Sequence, residues 1–155
     1  MQPGFTPTPG AMGWIQSCTA ALPMVALLAS LQVFEQAGGI EPVRAKSLQL
    51  TGYFERLLHS SRHFSADAAS TPSDRPTFTI LTPSDPAQRG AQLSLLFLPS
   101  GSDVMMKVFD GLKRRSVTGD KRKPDVLRLT PCPLYNSFVD VRACFDALEA
   151  VLDSL

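Results

Sequence analysis

The hydrophobic pattern of this chain changes halfway along its length, and that change restricts the possible folds more than any other feature. Up to residue 59, apolar residues recur at the spacing of helices, with Gly38-Gly39 as a break between two of them. Beyond Phe78, short apolar runs typical of strands alternate with two amphipathic segments. Two helices followed by the order β-β-α-β-α predict an α+β fold, with an antiparallel sheet and helices packed on one face.

Turn-forming residues and caps set the expected bounds of these elements. Residues 1–13 hold three prolines and three glycines and are typical of an extended loop, while residues 60–76 are typical of a surface loop. Ser137 can cap the last helix, with Asp140 three residues on as the acid of a capping box. The predicted helices span 19–37, 41–59, 103–115 and the segment after Ser137, and the predicted strands span 78–82, 92–98 and 126–130.

The charge balance and the cysteines exclude several classes of function. Fifteen basic and fourteen acidic residues give a net charge of +1, so no long-range field attracts the chain to nucleic acid or to a membrane surface. The most apolar run, residues 20–34, is too short for a span, and the N-terminus lacks the basic residues of a signal peptide. Three scattered cysteines indicate a reducing compartment. We therefore expect a cytoplasmic protein with neither a nucleic-acid nor a membrane partner.

Two histidines are the first candidates for metal ligands. His59 and His63 stand four residues apart, but no acid lies between them as in a zinc-protease pair, and they fall where the helix should fray. We interpret them as a solvated helix end. The cysteines Cys18, Cys132 and Cys144 also lack the spacing of a metal site, so no metal site is predicted.

Basic residues are concentrated at 113–115 and 121–123. Acids dilute them, and the interleaved aromatics of a nucleic-acid surface are missing. We interpret them as a solvated turn after a helix whose C-terminus attracts cations. No Ser/His/Asp or Cys/His set and no phosphate-binding loop stand out by spacing, so the pattern predicts no catalytic residue.

Arg128 is the only charged residue in the predicted strand over 126–130, and the rigid turn Pro131-Cys132-Pro133 follows directly. The pattern alone leaves two interpretations open. Arg128 could point outward from an edge strand as an ordinary surface arginine. Alternatively, a stiff backbone could hold its guanidinium so that the planar fork binds a carboxylate.

A longer stretch around Arg128 resembles the C-terminal signature of kynureninases. Residues 124–140, Pro-Asp-Val-Leu-Arg-Leu-Thr-Pro-Cys-Pro-Leu-Tyr-Asn-Ser-Phe-Val-Asp, carry the most specific part of the resemblance. Three further segments agree in the same order: 46–53 resembles the family's helix after the large domain, 88–93 its Arg-Gly-x-Gln-Leu strand entry, and 117–122 its Asp-x-Arg turn. The resemblance covers almost the whole chain from Phe5 onward.

The resemblance implies the C-terminal small domain of a fold type I pyridoxal-phosphate enzyme that acts as a homodimer. Kynureninases hydrolyse L-kynurenine or 3-hydroxykynurenine to an anthranilate and L-alanine, in tryptophan breakdown and NAD synthesis. The family lysine that binds pyridoxal 5'-phosphate as a Schiff base lies upstream of the matching region, and no lysine here stands in a similar context. The resemblance therefore implies no catalytic residue in this chain, and we expect the chain alone to be inactive and to bind no cofactor.

Two positions carry over from the family to this sequence. Arg128 matches the arginine that binds the α-carboxylate of the substrate. Cys18 stands where the family has an asparagine close to the cofactor and the substrate, in the segment 13–20. Because a thiol is a poor hydrogen-bonding group, the cofactor contact expected at this position is weakened in this chain.

The resemblance also gives a division of the chain. Residues 1–18 are predicted to be an extended segment of the missing large domain, 19–59 a helical connection, and 60–155 the α+β small domain. In this interpretation the chain acts on kynurenine only as part of a full-length homodimer. Two alternatives stay open: a non-catalytic interaction module that pairs with an intact kynureninase subunit, and a regulatory domain that uses Arg128 to bind an amino acid.

Overall fold

A computed structural model describes residues 8–15, 17–18, 20–66 and 75–155. The chain divides into two compact units, Met1–Ile40 and Glu41–Leu155. Two predicted loops fall partly outside the described residues, the first over 1–7 and the second over 67–74. The described part of the first loop contains a short 3₁₀ helix, Ala11–Trp14. The sequence-based division at residues 18 and 59 stays a prediction.

The predicted helices and strands are confirmed, and their ends shift by only a few residues. The structure adds one short strand that the sequence pattern did not predict. In chain order the elements are α1 (Ala21–Gln36), α2 (Ile40–Ser60), β1 (Thr77–Ile80), β2 (Leu93–Leu98), α3 (Val104–Arg114), β3 (Asp120–Arg122), β4 (Val126–Leu129) and α4 (Phe138–Leu152).

The four strands form one antiparallel sheet in the order β1-β2-β4-β3. Side chains alternate along each strand, so the side chains that β2 and β4 turn toward the helices are those of Leu93, Leu95, Phe97, Leu127 and Leu129. These side chains join the buried faces of α2, α3 and α4 in one hydrophobic core. The expected α+β fold with helices packed on one face is confirmed. The core residues are Leu50, Phe54, Leu58, Phe78, Leu93, Leu95, Phe97, Val104, Met105, Val108, Leu112, Leu127, Leu129, Val141, Phe145, Leu148, Val151 and Leu152.

Strand β3 lies at an edge of the sheet and consists of Asp120, Lys121 and Arg122, all exposed. The prediction of a solvated turn at 121–123 is therefore wrong about the backbone, although the side chains do face solvent. An edge strand needs no buried side chain of its own, and charged residues at a sheet edge discourage pairing with other chains. A pattern search for apolar alternation misses such a strand.

Helix α1 lies in the first unit and buries none of its residues. Its apolar side chains point in all directions, and Leu22 is 84% exposed. A helix that is apolar all round is normally surrounded by protein, so α1 has the composition of a helix that packs against further parts of a larger assembly. Within the described residues, no single helix is long and apolar enough to cross a membrane. Helices α1 and α2 reach that length and composition only when they are counted together.

A buried ion pair joins α2 to the loop between β1 and β2. Arg89 is only 4% exposed in its side chain and binds both carboxylate oxygens of Glu55, with 2.6 Å between Nη1 and Oε1. The hydrogen bond from Arg89 holds the pKa of Glu55 below its usual value. Such a two-pronged contact fixes the orientation of both side chains. Arg89, part of the Arg-Gly-x-Gln-Leu resemblance, therefore has a structural role in this domain.

The prediction of a solvated helix end is confirmed for His59, which is exposed, and wrong for His63. His63 is 5% exposed, and its Nδ1 and Nε2 lie 2.9 Å from the Pro76 carbonyl oxygen and 2.8 Å from Asp153 Oδ1. Hydrogen bonds from Arg62 and His63 lower the pKa of Asp153 to about 2. The contact attaches the end of α4 to the segment after α2. Local sequence could not show it, because Asp153 is 90 residues away.

We predict that Gly111→Ala destabilises the domain because α3 and α4 touch at this point. A Cβ at residue 111 would lie 2.7 Å from both Cγ atoms of Val151. Overpacking of this kind costs about 1–3 kcal/mol, more than alanine gains in helix propensity. The free energy of unfolding from urea denaturation measures the effect, and Val151→Ala in the same chain should relieve it.

The matched control is Gly52→Ala on α2, where the nearest atom to an added Cβ is Arg56 Nη1 at 3.7 Å. This variant should gain up to about 1 kcal/mol of stability from helix propensity. If both alanine variants change stability in the same direction, the close contact between α3 and α4 is not what constrains residue 111.

Candidate functional site

Arg128 lies on β4, between β2 and β3, and therefore not on an edge strand. Its neighbours Leu127 and Leu129 are 0% and 2% exposed and belong to the core. Because successive side chains point to opposite faces of a sheet, the Arg128 side chain lies on the face away from the core. The edge-strand interpretation of Arg128 is wrong, whereas its role in binding a carboxylate stays a prediction.

The guanidinium of Arg128 forms an ion pair with Asp120, its direct partner in the β3–β4 pairing. Nη2 of Arg128 donates to Asp120 Oδ2, and Nη2 of Arg122 lies 2.9 Å from the same oxygen. The hydrogen bond from Arg128, with a further contribution from the charge of Arg122, lowers the pKa of the Asp120 carboxyl. One carboxylate therefore bridges two guanidinium groups on this face of the sheet.

The two ends of the Arg128 head group differ in their surroundings. Its Nε is buried, and no hydrogen-bond acceptor in the described parts of the chain reaches it. A buried N–H group without a partner carries an energetic cost. The side chain as a whole is 29% exposed, so other atoms of Arg128 are accessible from outside although Nε is not. Arg128 thus combines a position held by Asp120 with a side chain that stays partly accessible.

Arg128 lines a cleft of about 760 Å³, which we call the Arg128 cleft. Its walls come from the turn after α3, strands β3 and β4, the loop after β4 and the first turns of α4, with one residue of α2. Its charged lining residues are two arginines and two aspartates. The lining residues are Phe54, Arg115, Ser116, Val117, Thr118, Gly119, Asp120, Arg128, Leu129, Thr130, Pro131, Tyr135, Asn136, Asp140, Val141, Ala143 and Cys144.

Local hydrogen bonds make the wall after β4 stiff. Asn136 closes the turn twice, since its Oδ1 accepts from the Cys132 N–H and its own N–H donates to the Cys132 carbonyl oxygen, both at 2.8 Å. The predicted capping box is confirmed: Ser137 N donates to Asp140 Oδ2 at 2.7 Å, and Asp140 N donates to Ser137 Oγ at 3.3 Å. These contacts fix the start of α4 beside the cleft.

The thiols and amines near the cleft offer no reactive group. Burial raises the pKa of Cys144 to about 12, so this thiol stays protonated and is a poor nucleophile. All five lysines are exposed, and none is among the lining residues of the cleft. In the part of the chain that the structure describes, no group of three or more His, Cys, Asp and Glu residues could hold a metal ion.

Cys18, the second predicted site residue, belongs to the first unit, where it is an exposed free thiol. Arg128 belongs to the second unit. The predicted role of Cys18 therefore stays a prediction that rests on the resemblance. Asp120 is the residue that sequence reasoning did not assign, although it lies in the segment that resembles the family's Asp-x-Arg turn.

Comparison with known families agrees with the resemblance in the sequence. The family described as "Kynureninase C-terminal domain" matches residues 43–148, which include most of α2, the whole sheet, α3 and most of α4. The matched region thus contains Arg128 and Asp120, and Cys18 lies outside it.

Curated relatives match the chain over nearly its full length. The kynureninase of Eremothecium gossypii is 48% identical over 100% of this chain and 35% of its own length. The kynureninase of Cryptococcus neoformans is 44% identical over 99% of this chain and 33% of its own length. That of Saccharomyces cerevisiae is 44% identical over 97% of this chain and 34% of its own length. The chain therefore spans about a third of the length of these relatives.

Proposed function

This chain belongs to the kynureninase family, and we propose that it forms the C-terminal third of an enzyme that hydrolyses L-kynurenine or 3-hydroxykynurenine. The reaction adds water across a carbon–carbon bond and gives anthranilate or 3-hydroxyanthranilate together with L-alanine. It belongs to tryptophan catabolism and de novo NAD synthesis. The high identity to kynureninases along the whole chain supports this proposal.

The residues of this chain do not fit pyridoxal 5'-phosphate, the cofactor of the family, by themselves. A Schiff base needs a lysine within the site, whereas the lysines here are exposed and absent from the Arg128 cleft. We therefore assign the covalent chemistry to residues upstream of this chain and name no catalytic residue within it. The role proposed for this part is to bind and orient the substrate.

Arg128 carries that role. Its buried Nε–H has no partner among the described residues, while Asp120 engages Nη2 of the same guanidinium. A substrate α-carboxylate that enters the Arg128 cleft would meet the accessible part of this side chain, which is 29% exposed, and bring a charge opposite to that of the guanidinium. The arginine that Asp120 holds in the lining of this cleft is the single observation on which the functional proposal depends.

The proposal extends to the assembly and to its location. The working enzyme is a cytoplasmic homodimer, in which the apolar surface of α1 is covered by other parts of the protein. The alternative of a non-catalytic module that pairs with an intact kynureninase subunit would use the same surface of α1. The enzyme part and the non-catalytic module differ in whether this chain contributes residues to an active site. The chain is therefore tested within a full-length enzyme.

We predict that the 155-residue chain alone neither binds pyridoxal 5'-phosphate stoichiometrically nor cleaves kynurenine, because it lacks a lysine in the cleft. The measurement is a titration of the purified chain with the cofactor, monitored by the absorbance of a Schiff base. Full-length Saccharomyces cerevisiae kynureninase is the positive control. A stoichiometric Schiff base in the chain alone would contradict the assignment of the chemistry to upstream residues.

A second prediction concerns a chimera in which this chain replaces the matching third of Saccharomyces cerevisiae kynureninase. Arg128→Ala should lower kcat/KM by roughly tenfold to a hundredfold, since a charged hydrogen bond contributes about 1.5–3 kcal/mol. Much of the loss should appear in KM, because the α-carboxylate is present in both the ground state and the transition state. Arg128→Lys should be impaired too, as an ammonium cannot replace the planar fork.

Steady-state kinetics with kynurenine and a cofactor titration of each variant measure these effects. Cofactor affinity should be nearly unchanged in both variants, which separates substrate binding from a damaged fold. Unchanged kinetics in Arg128→Ala would show that Arg128 is an ordinary surface residue.

The same chimera tests Cys18. Cys18→Asn should raise kcat/KM by about fivefold, because an amide can restore one neutral hydrogen bond worth roughly 1 kcal/mol near the ligand. Cys18→Ala is the matched control, since it removes the thiol without adding a hydrogen-bonding group. Equal activity of Cys18→Asn and Cys18→Ala would mean that no hydrogen bond forms at this position.

A further inference from the structure

Arg128 is held by a neighbour that does not itself need to touch a substrate. Asp120 faces Arg128 across the β3–β4 pair and accepts from its Nη2. The same Asp120 oxygen lies 2.9 Å from Nη2 of Arg122, so a second cation keeps the carboxylate in place. Among the described residues the buried Nε of Arg128 has no hydrogen-bond partner, and the side chain as a whole is 29% exposed. Asp120 therefore fixes Nη2 while part of the Arg128 side chain remains accessible.

The backbone before Asp120 allows this contact. A Cβ at Gly119 would lie 3.0 Å from Leu127 Cδ1 and Leu129 Cδ2, and 3.3 Å from the Arg128 carbonyl oxygen. A larger residue would require these neighbours to shift by a few tenths of an ångström, whereas glycine fits this close approach to β4 without a shift. The approach places the Asp120 carboxylate beside the Arg128 guanidinium at the edge of the cleft.

An arginine side chain has several rotatable bonds, and one that is free in solution samples many positions. A ligand that binds such a side chain must first order it, which weakens binding. Since Asp120 already holds Nη2, much of this ordering exists before a ligand arrives. The remaining donors of Arg128 are then available in one geometry, which suits a carboxylate of defined orientation.

We infer that Asp120 is a positioning residue for the substrate: it acts through Arg128, whose guanidinium it orients toward the α-carboxylate. This inference rests on the proposed function of Arg128. The other possible effect of Asp120 is competition, in which its carboxylate occupies the guanidinium and weakens binding of the ligand. The two effects predict opposite changes in KM.

The test uses the chimera with Saccharomyces cerevisiae kynureninase and compares Asp120→Asn with Asp110→Asn. Asp110 lies exposed on α3 and does not line the cleft, so its variant has the same change of charge without the contact. Asp120→Asn should raise KM for kynurenine by about tenfold with little change in kcat, because a displaced binding group loses affinity steeply. Asp120→Glu should recover part of the loss, and Asp110→Asn should leave both constants unchanged.

A second readout excludes a merely structural role. A competitive inhibitor that is kynurenine without its α-carboxylate should bind Asp120→Asn and the unchanged chimera equally, because this inhibitor lacks the group that Arg128 is proposed to bind. In an Arg128→Ala background, Asp120→Asn should have no further effect on KM, because the residue acts only through Arg128. In the purified 155-residue chain, Arg128→Ala should raise the pKa of the Asp120 carboxyl, as seen by ¹³C NMR, since Arg128 is the main cause of its lowering.

The outcomes distinguish the proposed function of Arg128 from the positioning role of Asp120. If Arg128→Ala leaves KM unchanged, the proposed function of Arg128 fails and the inference fails with it. If Arg128→Ala raises KM but Asp120→Asn does not, the function stands and the positioning role is overturned. A fall of KM in Asp120→Asn also overturns the inference, in favour of competition. Equal losses of affinity for inhibitors with and without the carboxylate would show that Asp120 only supports the fold.

Discussion

Strand β4 connects the hydrophobic core to the candidate site, because its side chains alternate between the two faces of the sheet. Leu127 and Leu129 are buried in the core with the helices, so the Arg128 side chain between them lies on the opposite face of the sheet. A slip of one residue would place the guanidinium in the core, at a large cost, and the register is strongly specified for that reason. Asp125 fixes the entry to the strand, since its buried carboxylate accepts from the Gly101 N–H at 3.1 Å. The position of the binding group is thus a consequence of packing.

Elements with a periodic apolar pattern could be predicted from the sequence, and those held by distant charges could not. Helix α3 and strand β4 were both predictable, because each buries one regular set of side chains. Strand β3 carries only exposed charges and exists through its pairing with β4, which no local pattern shows. His63 was misjudged for the same reason, since its partner Asp153 stands at the other end of the domain.

In the candidate site, too, the local sequence pattern indicates some residues, whereas others are identified only by contacts that the fold creates. The pattern singled out Arg128 but left its role open, and the resemblance to kynureninases favours the carboxylate-binding interpretation, which stays a prediction. Its partner Asp120 became visible only through the strand register, which brings together residues eight positions apart across a turn. Cys18 is an exposed thiol of the first unit, so its predicted role rests on the resemblance alone. Helix α1, in the same unit, is an apolar helix without a buried face.

The charges next to Arg128 support the proposal that a carboxylate binds there. Arg122 and Arg128 share the single carboxylate of Asp120, so the three side chains together carry one net positive charge. The hydrogen bond from Arg128 lowers the pKa of the Asp120 carboxyl, which favours its ionised form beside the two guanidinium groups. In the proposed function, a ligand with one α-carboxylate neutralises this cluster, whereas a ligand without it leaves the positive charge unpaired. The proposed recognition of a carboxylate thus depends on the pairing of β3 with β4, which brings Asp120 and Arg128 together.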